Sequence, residues 1–290
     1  MATLTTIAGV LGSVAVAGLS INSTIVGRTL TAAAPEHVVD VPAARARVVH
    51  VTGEDFKFDA PDVIPAGLTE FRFLNKGPSL HHMTIIKLGA NKTIDDLRAA
   101  FANPGPPPTW AKIMGGPDAA DTGLESNATV MLEPGNYALV CFVDLGGPPH
   151  FAKGMVRPLR VVPAKIADTK PKADLTATLV DYSFRLSSPI RAGTHTIRVH
   201  NAAGQDHEVQ LIELAPGRTL GDLMTWLSKM EGPPPGKALG GVAGIAPGLT
   251  EYFTADFSSG TKYVLICFIP DANDGKPHFA HGMTQQITVK

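Results

Sequence analysis

Short apolar runs separated by turn-formers recur along the chain: Glu70-Phe-Arg-Phe-Leu74, Met83-Thr-Ile-Ile-Lys87 and Thr129-Val-Met-Leu132, with Asn75-Lys-Gly-Pro78 and Glu133-Pro-Gly-Asn136 among the breaks. Runs of this length and punctuation predict β-strands, and many of them in succession predict an all-β sandwich. One segment in each half changes period. Ile94, Leu97 and Phe101, and later Leu220, Leu223, Leu227 and Met230, follow helical spacing. Thr93 with Asp96, and Thr219 with Asp222, supply N-terminal caps, and Gly105-Pro-Pro-Pro108 and Gly232-Pro-Pro-Pro235 stop the helices. On the strand from Tyr137, alternation puts Tyr137, Leu139 and Cys141 on one face and Ala138, Val140 and Phe142 on the other. Both faces are apolar, so the second must also be covered. The helix, the other half of the chain or a second copy of it, in a homo-oligomer, are the candidates.

The pattern repeats. Phe58 and Phe184, Gly67 and Gly193, Asn75 and Asn201, His81 and His207, Thr93 and Thr219, Tyr137 and Tyr263, and Cys141 and Cys267 are all 126 residues apart. Beyond the cysteines the offset is 128, as in His150 and His278 or Met155 and Met283, so the second copy has two extra residues between Cys and His. A tandem duplication explains this. The predicted domains are 46–163 and 173–290, joined by a polar linker, 164–172.

At 290 residues there is enough chain for two cores. The net charge of −1 and the absence of a Lys/Arg run exclude the electrostatic footprint of a nucleic-acid binder. Residues 1–45 differ from the rest. No charged residue precedes Arg28, and Ile7 to Ile21 is a mild apolar stretch followed by small residues at Thr31-Ala-Ala-Ala34, which predicts an export signal; membrane anchoring by the uncharged segment is the rival. Either reading predicts an exported protein, periplasmic or extracellular. Cys141 and Cys267 are the only cysteines, one at the same point of each repeat, which reads more simply as one thiol per domain than as a disulfide.

Each repeat also holds a Cys, two His and a Met in fixed order: His81, Cys141, His150 and Met155, then His207, Cys267, His278 and Met283. A thiolate, two imidazoles and a weak axial thioether are the donor set of a blue-copper site. The cysteine ends a strand, one His and the Met follow on the next loop, and the other His stands 60 residues earlier on a neighbouring strand. His82 adjoins His81, and only the alignment with His207-Glu208 favours His81. A lone buried Cys or Met is ordinarily core, but four donor types in both copies argue for a site. His37, His50, His195 and His200 lack ligand spacing, and His281, which replaces Lys153, is read as a surface residue.

Pro134-Gly-Asn-Tyr137 followed by Cys141, and Pro149-His150-x-x-x-Gly154-Met155 with its copy Pro277-His278-x-x-x-Gly282-Met283, resemble the motifs of the cupredoxin family, plastocyanin-like proteins in particular. The similarity covers nearly all of both repeats. It implies two tandem Greek-key β-sandwich domains, each with one short helix inserted, and up to two type 1 copper ions. Eight residues separate Cys141 from His150 and ten separate Cys267 from His278, longer than in plastocyanins; the first is closer to the loop of copper nitrite reductases. Tyr137 and Tyr263 are expected to tie corners through their hydroxyls.

Two-domain cupredoxins include oxidases and nitrite reductases. In those enzymes a His adjoins the copper-binding Cys, whereas Val140 and Phe142 flank Cys141 and Ile266 and Phe268 flank Cys267; no His-x-His pair occurs. The sequence expectation is therefore that the chain is not an enzyme. It is expected to carry single electrons to and from redox partner proteins, with Pro148, Pro149 and Phe151 as an apolar docking rim. Copper storage or delivery without redox work, and a sandwich with vestigial sites, are the alternatives.

Overall fold

The computed structural model describes residues 46–102, 107–164 and 169–290. The export or anchor segment, the Gly105-Pro106 helix stop and residues 165–168 of the linker lie outside the described residues. No described helix is long and apolar enough to cross a membrane.

The first repeat comprises β1 (Arg47–Glu54), β2 (Lys57–Asp59), β3 (Val63–Pro65), β4 (Gly67–Asn75), β5 (Thr84–Leu88), α1 (Ile94–Phe101), β6 (Ala111–Gly115), β7 (Glu125–Leu132), β8 (Gly135–Val140) and β9 (Val156–Val162). The second comprises β10 (Leu175–Val180), β11 (Ser183–Leu186), β12 (Gly193–Asn201), β13 (His207–Leu214), α2 (Leu220–Lys229), β14 (Gly236–Ile245), β15 (Thr250–Phe257), β16 (Lys262–Ile266) and β17 (Thr284–Thr288). The chain is thus all-β with one helix per repeat, as the hydrophobic pattern predicts. Both helices open with the predicted capping box: Thr93 and Thr219 each accept from the backbone of Asp96 and Asp222, whose carboxylates accept in return.

Two sheets run through both repeats. One is ordered β11-β10-β12-β15-β7-β4-β1-β2 and the other β17-β16-β13-β14-β6-β5-β8-β9-β3. Equivalent strands meet at the seam, β7 against β15 at Thr129 and Tyr252, and β6 against β14 at Met114 and Ile245. The Asn127 amide closes one seam, donating to the Thr254 carbonyl and accepting from its N–H, both at 2.8 Å. Each repeat keeps its own core between the sheets. Val51, Phe71, Phe73 and Val130 meet Ile85, Tyr137, Leu139 and Leu159 in the first; Leu179, Ile197 and Phe253 meet Leu211, Tyr263 and Leu265 in the second.

The helices cover the second face of the cysteine strands. Leu97, with Ile94 and Phe101, packs on Ala138, Val140 and Phe142, and Leu223, with Leu220 and Trp226, packs on Val264, Ile266 and Phe268. Strand residues of both parities are consequently buried. The corner tyrosines differ in detail: Tyr137 donates to the Glu133 carbonyl at 2.8 Å, whereas Tyr263 accepts from the Ser258 N–H at 2.9 Å.

Candidate metal centres

Cys141 follows directly on β8, at a strand end whose next residues turn back toward β9. The returning loop is fixed by main-chain bonds: Phe151 N–H to the Cys141 carbonyl at 2.8 Å, His150 N–H to Val143 at 3.0 Å, and Met155 N–H to His150 at 2.9 Å. A 3-10 turn over His150–Lys153 ends at Gly154, whose φ of 109° a side chain would resist, and this returns Met155 to the core. The second copy uses the same frame. Phe279 bonds to Cys267 at 2.9 Å, His278 to Ile269 at 2.9 Å and Met283 to His278 at 3.0 Å. Its two extra residues are taken up in the stretch closed by the Pro270–Pro277 bridge, so the longer spacing leaves the frame intact.

The loop places His150 against His81, which lies between β4 and β5. The two Nδ1 atoms face each other at 2.9 Å, and Cys141 Sγ lies 3.9 Å from His81 Nδ1 and 3.6 Å from His150 Nδ1. A point equidistant from the three atoms is about 2 Å from each, the bond length that N and S donors give a small transition-metal ion. In the second copy Cys267 Sγ lies 3.9 Å from His207 Nδ1 and 3.3 Å from His278 Nδ1. The chain carries a His–Cys–His donor set twice. Two imidazoles and a thiol, converging from buried positions with nothing else between them, suit copper at up to two sites. Met155 and Met283 are fully buried in the adjoining cores.

The electrostatics keep the imidazoles ready to ligate. Burial, reinforced by the neighbouring imidazole, pulls His150 and His278 down to about 4. Burial also lowers His81 and His207, against the opposing pull of their carboxylate partners. All four are neutral at pH 7. Asp55 Oδ1 holds His81 Nε2 at 2.6 Å and Asp181 Oδ1 holds His207 Nε2 at 3.0 Å, which fixes the proton on Nε2 and leaves the Nδ1 lone pair for the site. The thiols are the opposite case, with burial pushing Cys141 up to about 12 and Cys267 well above the usual thiol range. A cation must displace that proton on binding.

Sequence reasoning passed over Asp55 and Asp181, although they stand at the same 126-residue offset as the histidines they orient. The choice between His81 and His82 also resolves. His82 turns away, its Nε2 accepting from the Phe142 N–H at 2.7 Å, and Glu208 does the same for Phe268 at 2.6 Å. His50, His195 and His200 join no donor cluster among the described residues. His281 instead pairs with Asp274 at 3.1 Å, both exposed, beside the buried Asp271. Phe151 packs on Phe101 and Phe142, with centroids 5.7 and 5.4 Å away, so its ring is shared between the rim and the packing under it.

No family model matches the chain, and no curated protein matches it. Among solved structures, a dithionite-reduced auracyanin from Roseiflexus castenholzii is 22% identical and matches 41% of this chain over its own full length, with a TM-score of 0.29. A blue copper oxidase from Nitrosomonas europaea is 15% identical, covering 84% of this chain and 86% of its own, with a TM-score of 0.26. A copper-containing nitrite reductase from Thermus scotoductus is 12% identical, covering 85% and 62%, with a TM-score of 0.23. The expectation that the chain is not an enzyme is corrected by this finding. The structures that match 84% and 85% of the chain are named as an oxidase and a nitrite reductase.

Proposed function

We propose that the chain is an exported blue copper protein carrying single electrons through two type 1 centres, each at one end of a Greek-key sandwich, 46–163 and 173–290, joined by 164–172. The observation that carries this reading is the pair of buried His–Cys–His triangles, three donor atoms each within reach of one ion. Copper bound there supplies a Cu(I)/Cu(II) couple. The residues supply the rest. His81, Cys141, His150 and Met155 would hold the first copper ion, and His207, Cys267, His278 and Met283 the second. Main-chain bonds on both sides of Cys141 and His150 hold the donors in one arrangement, and Asp55 keeps His81 from rotating. A frame this constrained minimises rearrangement between oxidation states.

Redox partner proteins are proposed to meet the first centre at a shallow groove lined by Arg98, Phe101, Pro149 and Phe151, beside His150. Weak electron-transfer encounters need only a small apolar patch. The reading is tested by titrating the protein with Cu(II) while following visible absorption and bound metal. Two tight equivalents with strong thiolate-to-copper colour support it; metal bound without that colour favours copper storage or delivery, and no binding rejects both.

A further inference from the structure

The two centres have the same frame but different covers. Around the first, residues 144–148 of the Cys-to-His loop are all exposed, and among the described residues none of them hydrogen-bonds to the rest of the chain. His150 retains 3% of its surface. Around the second, the longer loop folds Asp271 inward. Its carboxylate accepts from the Tyr182 hydroxyl at 2.7 Å and from the Gln205 amide at 2.9 Å, and Gln205 in turn accepts from the Ala272 N–H at 3.0 Å. Beneath this cluster His278 has no exposed surface. Its Nε2 is buried without a hydrogen-bond partner, 3.6 Å from Asp271 Oδ2. The Tyr182 ring adds a second wall, 5.7 Å from the His278 ring.

The hydrogen-bonded parts of this cover are specific to the second repeat, whereas the ring wall is shared, the Phe56 ring lying 4.9 Å from that of His150. At the 126-residue offset, Tyr182 corresponds to Phe56, which has no hydroxyl, and Gln205 to Ser79, whose hydroxyl bonds to Asp55 instead. Asp271 belongs to the loop that is two residues longer. Each difference alone would leave an unmatched polar group; together they close a hydrogen-bonded network.

We infer that the second centre is capped and the first open, with Asp271 as the positioning residue that pins the cap through Tyr182 and Gln205. The cap slows the approach of small reagents, and of copper itself, to the second centre, so the first is the point of exchange with solution. This rests on the copper reading for its function but not for its structure.

The test is therefore run on metal-free and copper-loaded protein. In the metal-free chain, acylation by diethyl pyrocarbonate at pH 7, resolved by peptide mass spectrometry, compares His150 with His278; both are neutral there, so protonation does not set the difference. His150 should react on the order of tenfold faster. Installing the first repeat's residues as Tyr182→Phe with Gln205→Ser should accelerate His278 toward His150, while the His150 rate in the same molecules stays unchanged and reports an intact fold. In the loaded protein, release to a soluble Cu(I) chelator should be biphasic, and the slow phase should quicken in the double variant. Equal acylation rates in the wild type, or a gap that the double variant leaves unaltered, overturns the cap. Failure to bind copper defeats the functional reading while the acylation ratio still decides this one.

Discussion

At the residue scale, the site works because burial acts oppositely on its two donor types. It keeps the imidazoles neutral and the thiols protonated, so copper binding near neutrality should release one proton per site, from sulfur. The logarithm of apparent affinity should then rise by about one per pH unit between pH 6 and 8. A slope near two, measured by competition with a chelator of known proton stoichiometry, would mean that an imidazole also deprotonates. The carboxylate behind His81 gives a second test. Asp55→Asn keeps the shape but weakens the bond that orients the ring, and should lower copper affinity at the first site about 10- to 100-fold with the second site unaffected. Site-resolved titration in a Cys267→Ser background would show an unchanged constant if Asp55 had no such role.

Among the elements, each helix is a lid over the outer face of its cysteine strand. Its start is a capping box at Thr93 or Thr219, and replacing Thr93 by Ala should cost ~1 kcal/mol in urea unfolding. Leu97→Ala should cost more, ~2–5 kcal/mol, because Leu97 is 1% exposed and fills the space above Ala138 and Val140. If the two variants unfold at the same denaturant concentration, the helix is held by its cap and not by its packing. The caps, the periodicity and the strands were all legible in the sequence, since each depends on neighbours a few residues away. The inward fold of Asp271 was not, because its partners lie 89 and 66 residues distant and nothing local marks it.

For the whole molecule, the seam between repeats is the main addition. Glu251 on β15 is 1% exposed, and its Oε2 accepts from the Gly116 N–H at 3.1 Å across the seam. Gly115 beside it has φ of 104° and lies so close to the carboxyl that any Cβ would collide. Burial holds the Glu251 carboxyl well above the usual range. The folded state therefore keeps a proton that the unfolded state gives up, so the contribution is intact below about pH 4.5 and is lost as pH rises toward the folded value. Stability should fall with increasing pH by up to ~1.4 kcal/mol per unit from this group. Glu251→Gln should flatten the profile, leaving the part due to Glu208, which burial raises likewise. Parallel wild-type and variant curves from pH 5 to 8 would show that Glu251 ionises freely in the fold.

The sequence by itself determined the repeat, the β character, the two capped helices and the donor residues, because periodicity, capping and ligand order are local or are repeated at a fixed offset. Only the tertiary structure decided what depends on distance between remote segments. It selected His81 over His82 by turning one ring to the thiol and the other to the Phe142 N–H. It joined the repeats edge to edge in both sheets through β6, β7, β14 and β15. It also covered one of two otherwise equivalent centres. Such choices follow from which side chains can satisfy buried polar groups once the strands have met, and no window along the chain contains all the partners.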